Sequence, residues 1–236
     1  MSYQIDDSSI SLPMIMNRIA ESDLVPSRES LRDGIEAKFE SLENHGIRTL
    51  ADLRRELNNT RRRESLAHLT GLNPDYLVLL RREVEGYFPK PCPLRDLDWL
   101  SAGEIARIES VGIQNTAMIR DGGYLSSFTE GSSGLPGIAP DAWKIIVAVA
   151  GLVRIQWVSP TFARMLIEAG YDTVAVVVEA EPCVLEEAIA RVNAERRYYK
   201  CRIGLRDVRR LIASARFLIQ WDSAASHVQT LDSSPQ

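Results

Sequence analysis

WVSPTFARMLIEAGYDTV, residues 157–174, reads as a turn, a short helix, a stop and the start of a second helix. Ser159 can serve as N-cap, its hydroxyl accepting an amide of the first turn, and Pro160 falls at the first helical position, where its missing amide costs nothing. Gly170 supplies the left-handed residue that closes a helix, and Thr173 can cap the next one. Both devices recur along the chain. Gly-apolar-x-Thr, or a near variant, stands at GIRT (46–49), GIQN (112–115) and GYDT (170–173); apolar-x-Pro after a Gly or Trp stands at GLNP (71–74), GIAP (137–140) and WVSP (157–160). The two signatures are interleaved along the chain. They predict an all-α chain of short helix-turn-helix units, each too small to bury its apolar face alone.

The remaining punctuation agrees. Leu31, Ile35, Phe39 and Leu42 recur at helical spacing between Ser27 and Gly46, which predicts one helix there. Thr49 caps LADLRREL (50–57), and SAGE (101–104) is a Ser-x-x-Glu capping box. VAVVVEA (174–180) is rich in β-branched residues, yet the cap-like Thr173 before it predicts a helix. GYFPKPCPLRD (86–96) packs three prolines into PKPCP and reads as a linker or a rigid crossover. The organisation expected is a helical domain over 1–85, a linker over 86–95, a second helical domain over 96–221 and a disordered polar tail over 222–236. GSSGLPG (131–137) is a second break.

Bulk properties narrow the function class. The chain has 236 residues, 45% hydrophobic and 25% charged, which suits an ordinary globular protein with a sizeable core. IIVAVAGLV (145–153), between Lys144 and Arg154, is too short to span a membrane. The N-terminus carries Asp6 and Asp7 where an export signal would be basic, so no export and no membrane partner are expected. Cys92, Cys183 and Cys201 are widely spaced and odd in number, which suits a reducing cytoplasm. The net charge is −4 and the isoelectric point is near 5.5, so any nucleic-acid contact must come from a local patch.

GIAPDAWKII (137–146) and WVSPTFARML (157–166) resemble the helix-hairpin-helix motif, with Ala163 at its small-residue position. The order of DLVPS (23–27), GIRTLADL (46–53), TGLNPDYLVLLRREVEGYFPKP (70–91), WVSPTFARMLIEAGYDTV and GLRD (204–207) is similar to an uncharacterised bacterial family, domain of unknown function 4332. The resemblance implies tandem helix-hairpin-helix-like (SAM-like) repeats and, through the motif, nucleic-acid binding. In that motif backbone amides and a helix N-terminus hold a phosphate oxygen, and paired glycines let the backbone come close. No hairpin here has both glycines, and Asp75 and Asp141 follow the prolines of two of them. The hairpin at 157–164 has Thr161 and Arg164 instead and no acid before Glu168, which makes it the best phosphate candidate; Ser159 as a plain cap and Trp157 as core are the structural alternative.

Residues 190–218 hold Arg191, Arg196, Arg197, Lys200, Arg202, Arg206, Arg209, Arg210 and Arg216 against Glu195 and Asp207, a local excess of seven positive charges. On a helix from Leu205, Val208, Leu211, Ile212, Ala215 and Leu218 would face inward and Arg206, Arg209, Arg210 and Arg216 outward. Tyr198 and Tyr199 could stack on bases, and arginine suits bidentate phosphate contact. A smaller patch lies at Arg54, Arg55, Arg61, Arg62 and Arg63.

Nothing points to catalysis. His45, His68 and His227 pair with no ligand-type residue at metal spacing, no phosphate-binding glycine loop is present, and Cys183 and Cys201 have no nearby histidine in sequence. No enzyme, metal or cofactor is expected. The expected function is a binding module contacting DNA or RNA backbone through Ser159, Thr161, Arg164, Arg196, Arg197, Tyr198, Tyr199, Lys200, Arg202, Arg206, Arg209 and Arg210. The alternative is a protein–protein adaptor with structural hairpins and an acidic partner.

Overall fold

The computed structural model describes residues 3–122 and 135–231, with side chains described through 223. Most of the break at 131–137 lies outside the described residues. Among those described, the regular structure is all helical, and extended backbone pairs only in two isolated bridges, Ser11 with Thr49 and Pro93 with Asn115. The chain divides into two compact units, one of Ile5–Phe88 with Gln220–Gln236, the other of Met1–Gln4 with Pro89–Ile219. The dividing point after Phe88 falls inside the proline-rich stretch. Each chain end belongs to the unit of the other half, which local composition does not encode.

The first unit contains α1 (Leu12–Glu21), a 3-10 helix (Pro26–Arg32), α2 (Ile35–Asn44), α3 (Leu50–Asn58), α4 (Thr60–Thr70) and α5 (Pro74–Glu85). The single helix expected between Ser27 and Gly46 is broken at Gly34, whose φ of 56° is left-handed. Leu31, Ile35, Phe39 and Leu42 are all buried despite the break. Arg18 is buried in this unit, its guanidinium 3.8 Å from the centre of the Tyr87 ring and 4.6 Å from that of Trp221. Burial pulls its pKa down, opposed by Tyr87 and by the charge of Glu83, and the two aromatic faces are part of what replaces water around it.

The second unit contains a 3-10 turn (Leu94–Asp96), α6 (Ala102–Ser110), α7 (Thr116–Asp121), α8 (Pro140–Leu152), α9 (Pro160–Glu168), α10 (Val174–Val178), α11 (Pro182–Arg196) and α12 (Leu205–Leu231), the last contributing its residues up to Ile219. α8 packs on both α7 and α9, and α9 packs on α11. Ala163 is fully buried on α9, where a larger side chain would hold the neighbouring helices apart. Tyr3 is tied into this unit: its amide donates to Asp121 Oδ1 at 2.6 Å, and its carbonyl accepts from buried Arg154 Nε at 2.7 Å. α12 continues to Leu231, so residues 222–231 are helical where the sequence reads as a disordered tail. Trp221, 1% exposed, anchors the helix past Ile219, and no Gly or Pro follows until Pro235. Residues 232–236 lie outside the described part.

The two sequence signatures are two turn geometries. In the first, Gly46, Gly112 and Gly170 have φ of 85°, 88° and 90°. Each donates its amide three residues back, to Glu43, Glu109 and Ile167, and the next residue donates to Leu42, Ile108 and Leu166. That pair of bonds is a Schellman closure, which satisfies carbonyls that a helix end leaves orphaned. Thr49, Asn115 and Thr173 then cap the following helix. In the second geometry Gly71, Gly137 and Trp157 are left-handed, at φ 70°, 83° and 70°. The turns Leu135–Ile138 and Ile155–Val158 close with matching amide-to-carbonyl bonds of 3.0 and 3.1 Å. Trp157 therefore stands where Gly137 stands, in a region that costs an L-residue about 1–2 kcal/mol, and its side chain is 52% exposed.

A Cβ at Gly170 would meet nothing within 4 Å, so only its φ resists substitution. Gly170→Ala is expected to destabilise by about 1–2 kcal/mol and Gly170→Asn by less, read as the shift of the urea midpoint. Equal losses for the two would mean that φ is not the constraint.

Candidate functional site

Ser159 caps α9, its Oγ accepting the Phe162 amide at 3.1 Å. The same oxygen lies 2.9 Å from the Tyr199 hydroxyl, and the Phe162 and Tyr199 rings meet edge to face with centroids 6.2 Å apart. The chain between α11 and α12 is thereby laid against the start of α9. Asn193 holds it from the other side: its Oδ1 accepts the Tyr199 amide at 2.8 Å and its Nδ2 donates to the Tyr199 carbonyl at 3.0 Å. Arg197 makes the turn possible as the left-handed C-cap of α11, with φ 58°.

At the far end of α9, Glu168 collects three partners. Its Oε1 accepts from Tyr198 Oη at 2.8 Å and from Arg164 Nε at 3.2 Å, and its Oε2 accepts from Arg196 Nε at 3.1 Å. Burial pushes the Glu168 pKa up, but the Tyr198 and Arg164 hydrogen bonds and the charges of Arg196 and Arg164 outweigh it and hold the carboxyl below its usual value. The Tyr198 hydroxyl moves the opposite way, raised by burial and by its bond to the carboxylate. The Arg164 guanidinium also lies 5.0 Å from the centre of the Trp99 ring.

The structure brings Ser159 together with Tyr199, and Arg164 with Arg196 and Tyr198. The contacts are internal ties. Arg202 reaches Glu186 on α11 with two nitrogens, at 2.9 and 2.6 Å. On α12, Val208, Leu211, Ile212, Ala215 and Leu218 are buried and Arg206, Arg209 and Arg216 are exposed. Arg210 is not on the outer face: its side chain is 15% exposed and sits 3.8 Å from Asp207. Arg197 and Lys200 are exposed and pair with no carboxylate among the described residues. Thr161 is half-buried, and neither its amide nor that of Ser159 finds an acceptor among the described residues.

The smaller basic patch is likewise interleaved with acids. Arg54 pairs with Asp7 at 2.5 Å and Glu85 at 3.0 Å, Arg55 with Asp52 and Glu56, and Arg62 with Glu56, while Arg63 donates to the Leu57 carbonyl. Cys183 and Cys201 are exposed, and burial pushes the Cys92 thiol up to about 11. His45 Nδ1 lies 2.8 Å from the Ser41 carbonyl at the end of α2, and His68 is exposed. Glu168, Asn193 and Glu186 are the organising residues that the sequence reading passed over. Only Glu168 had a local signal, its i,i+4 spacing from Arg164.

The folded pKa of Glu168 is lowered, so its stabilisation is complete above the unfolded carboxylate value, about 4.3, and fades as pH falls through the lower folded value. Glu168→Gln is expected to destabilise at pH 7 by about 1–3 kcal/mol and to flatten the acid limb of the stability profile below pH about 4.3. Urea melts of both proteins across that range check it; parallel profiles would contradict the assigned role.

No helix among the described residues is long and apolar enough to cross a membrane. No curated protein and no solved structure matches the chain. The profile of the domain of unknown function DUF4332 matches residues 100–218. The stretches at 157–174 and 204–207 that carry the sequence resemblance fall inside the match; those between 23 and 91 fall outside it. A match over half of the chain's 236 residues shows that the chain belongs to the DUF4332 family.

Proposed function

We propose that the chain is a non-catalytic binding module, built on helix-hairpin-helix-like (SAM-like) joints, whose partner is an acidic protein. The observation that carries this reading is the capture of Arg164, Arg196 and Tyr198 by Glu168. Three groups expected to meet nucleic acid are instead partners of Glu168, and two of them, Arg196 and Tyr198, tie the end of α11 and the chain that follows it to α9. Trp157 adds to the case. It stands where a phosphate-gripping hairpin needs a bare backbone, and tryptophan is the residue type most enriched at protein–protein hot spots. The exposed Arg191, Arg197, Lys200 and Arg216 then supply electrostatic complementarity at the rim of the contact.

A second reading, sequence-independent binding of DNA or RNA backbone, draws support from one specific feature. The Ser159 and Thr161 amides lack acceptors at the start of α9, which has no acid in its first turn, and Arg197 and Lys200 are exposed cations.

The two readings separate in one pair of measurements. Fluorescence anisotropy with labelled duplex DNA, single-stranded DNA and RNA at low salt is expected to show no binding at micromolar protein. Affinity capture from nuclease-treated lysate is expected to retrieve one stoichiometric acidic protein, lost in the Arg197→Glu, Lys200→Glu double variant. Micromolar nucleic-acid binding that weakens steeply with salt and disappears in the same variant would replace the adaptor reading with the second one.

A further inference from the structure

α10 is the run VAVVV, and valine is one of the weaker helix formers because its branched Cβ restricts χ1. Burial would offset that disadvantage, yet only Val177 is fully buried. Val176 is 41% exposed, and Val184, in the first turn of α11, is 56% exposed. With Tyr171, Ala175 and Ala180 they line an open, largely apolar groove of about 450 Å³ between α10 and α11.

The walls of this groove are acidic. Glu179 and Glu181 line it, and exposed Asp172 and Glu187 lie beside it in sequence, next to Tyr171 and one turn beyond Val184. Glu181 caps α11 by accepting the Val184 amide at 2.8 Å, which fixes a carboxylate beside the exposed valine. Arg209 is the cation whose charge reaches Glu181. Glu179 and Asp172 form no ion pair among the described residues.

We infer that this groove docks a cationic, aliphatic peptide segment of a protein partner. An aliphatic side chain would cover Val176 and Val184, and lysines or arginines on either side of it would meet Glu179 and the neighbouring carboxylates. Charge complementarity selects this occupant, because an acidic rim repels phosphate backbones and anionic lipid headgroups alike. Arg197 and Lys200 lie past the opposite end of α11, so the assignment holds under either reading of the α9 face.

The test uses the full chain and a fluorescein-labelled peptide made of repeated Lys-Ile-Val-Lys blocks, with a counterpart carrying Glu for each Lys. The lysine peptide is expected to bind and the glutamate peptide to fail. Val184→Ser and Glu179→Lys should each weaken binding roughly tenfold, while Arg197→Glu with Lys200→Glu should leave it unchanged. Both groove residues are exposed, so circular dichroism and melting should match the parent protein; if one variant misfolds, the other decides. The assignment is overturned if the lysine peptide does not bind below millimolar concentration, if the glutamate peptide binds equally, or if both groove variants bind as the parent does. Self-association that Val184→Ser abolishes, read by sedimentation, would give the groove to a second copy of the chain and overturn it equally.

Discussion

A residue held at positive φ at the joints between short helices is the constraint on which the structure depends. Helices of nine or ten residues are marginal in isolation, and α2, α3, α6 and α9 are of that length. They persist because each apolar face packs against neighbouring elements, and most of those neighbours are reached through a tight turn. Gly46, Gly112 and Gly170 achieve the reversal with one hydrogen-bond pattern and no steric contact at the Cβ position. The paired bridges extend the likeness. Leu12 and Leu94 donate to the carbonyls of Arg48 and Gln114, while Leu50 and Thr116 donate back to those of Ile10 and Cys92. One turn, pinned in one way, was used in both units.

These joints were legible in the sequence because their chemistry is local. A cap, a left-handed residue and a proline at the first helical position act over four residues, so Thr49, Ser101 and Ser159 could be assigned their caps without a fold. The break at Gly34 was hidden, because periodicity alone does not distinguish a continuous helix from two that keep the same inner face. The end of α12 was hidden for a different reason. Its polar composition looks unstructured, but Trp221 is buried against groups far away in sequence, beside Arg18 and Tyr87. Long-range packing of that kind overrides local propensity, and no local signal announces it.

The basic segment shows the same limit in electrostatic form. An excess of seven charges over 190–218 is a count along a line, whereas the fold supplies carboxylates from other elements. Glu168 comes from α9, 28 residues from Arg196 and 30 from Tyr198. Glu186 comes from α11, 16 residues from Arg202. Each half-buried carboxylate gives cations that looked like a ligand surface an intramolecular partner, while Arg196 and Arg202 keep most of their side chains in solvent. The tyrosines follow: Tyr198 and Tyr199 end in hydrogen bonds to Glu168 and Ser159, and the Tyr199 ring already has Phe162 as its neighbour.

Trp157 brings the two levels together. Its turn is held by buried neighbours on both sides, Ile155 at 0% and Val158 at 7% exposure, so the backbone keeps its left-handed residue whatever the side chain. Glycine at this place, as in the sister turn at Gly137, would escape the cost of about 1–2 kcal/mol. With half its surface in water, the indole regains through burial only part of what a core tryptophan would. A protein partner that covered the ring would regain the rest, and backbone strain that persists beside an exposed aromatic is the pattern expected of a contact surface. A phosphate needs the opposite, an unencumbered approach to the amides. The same residue thus counts against the nucleic-acid reading and for the adaptor reading, on steric and energetic grounds that are independent of the Glu168 ties.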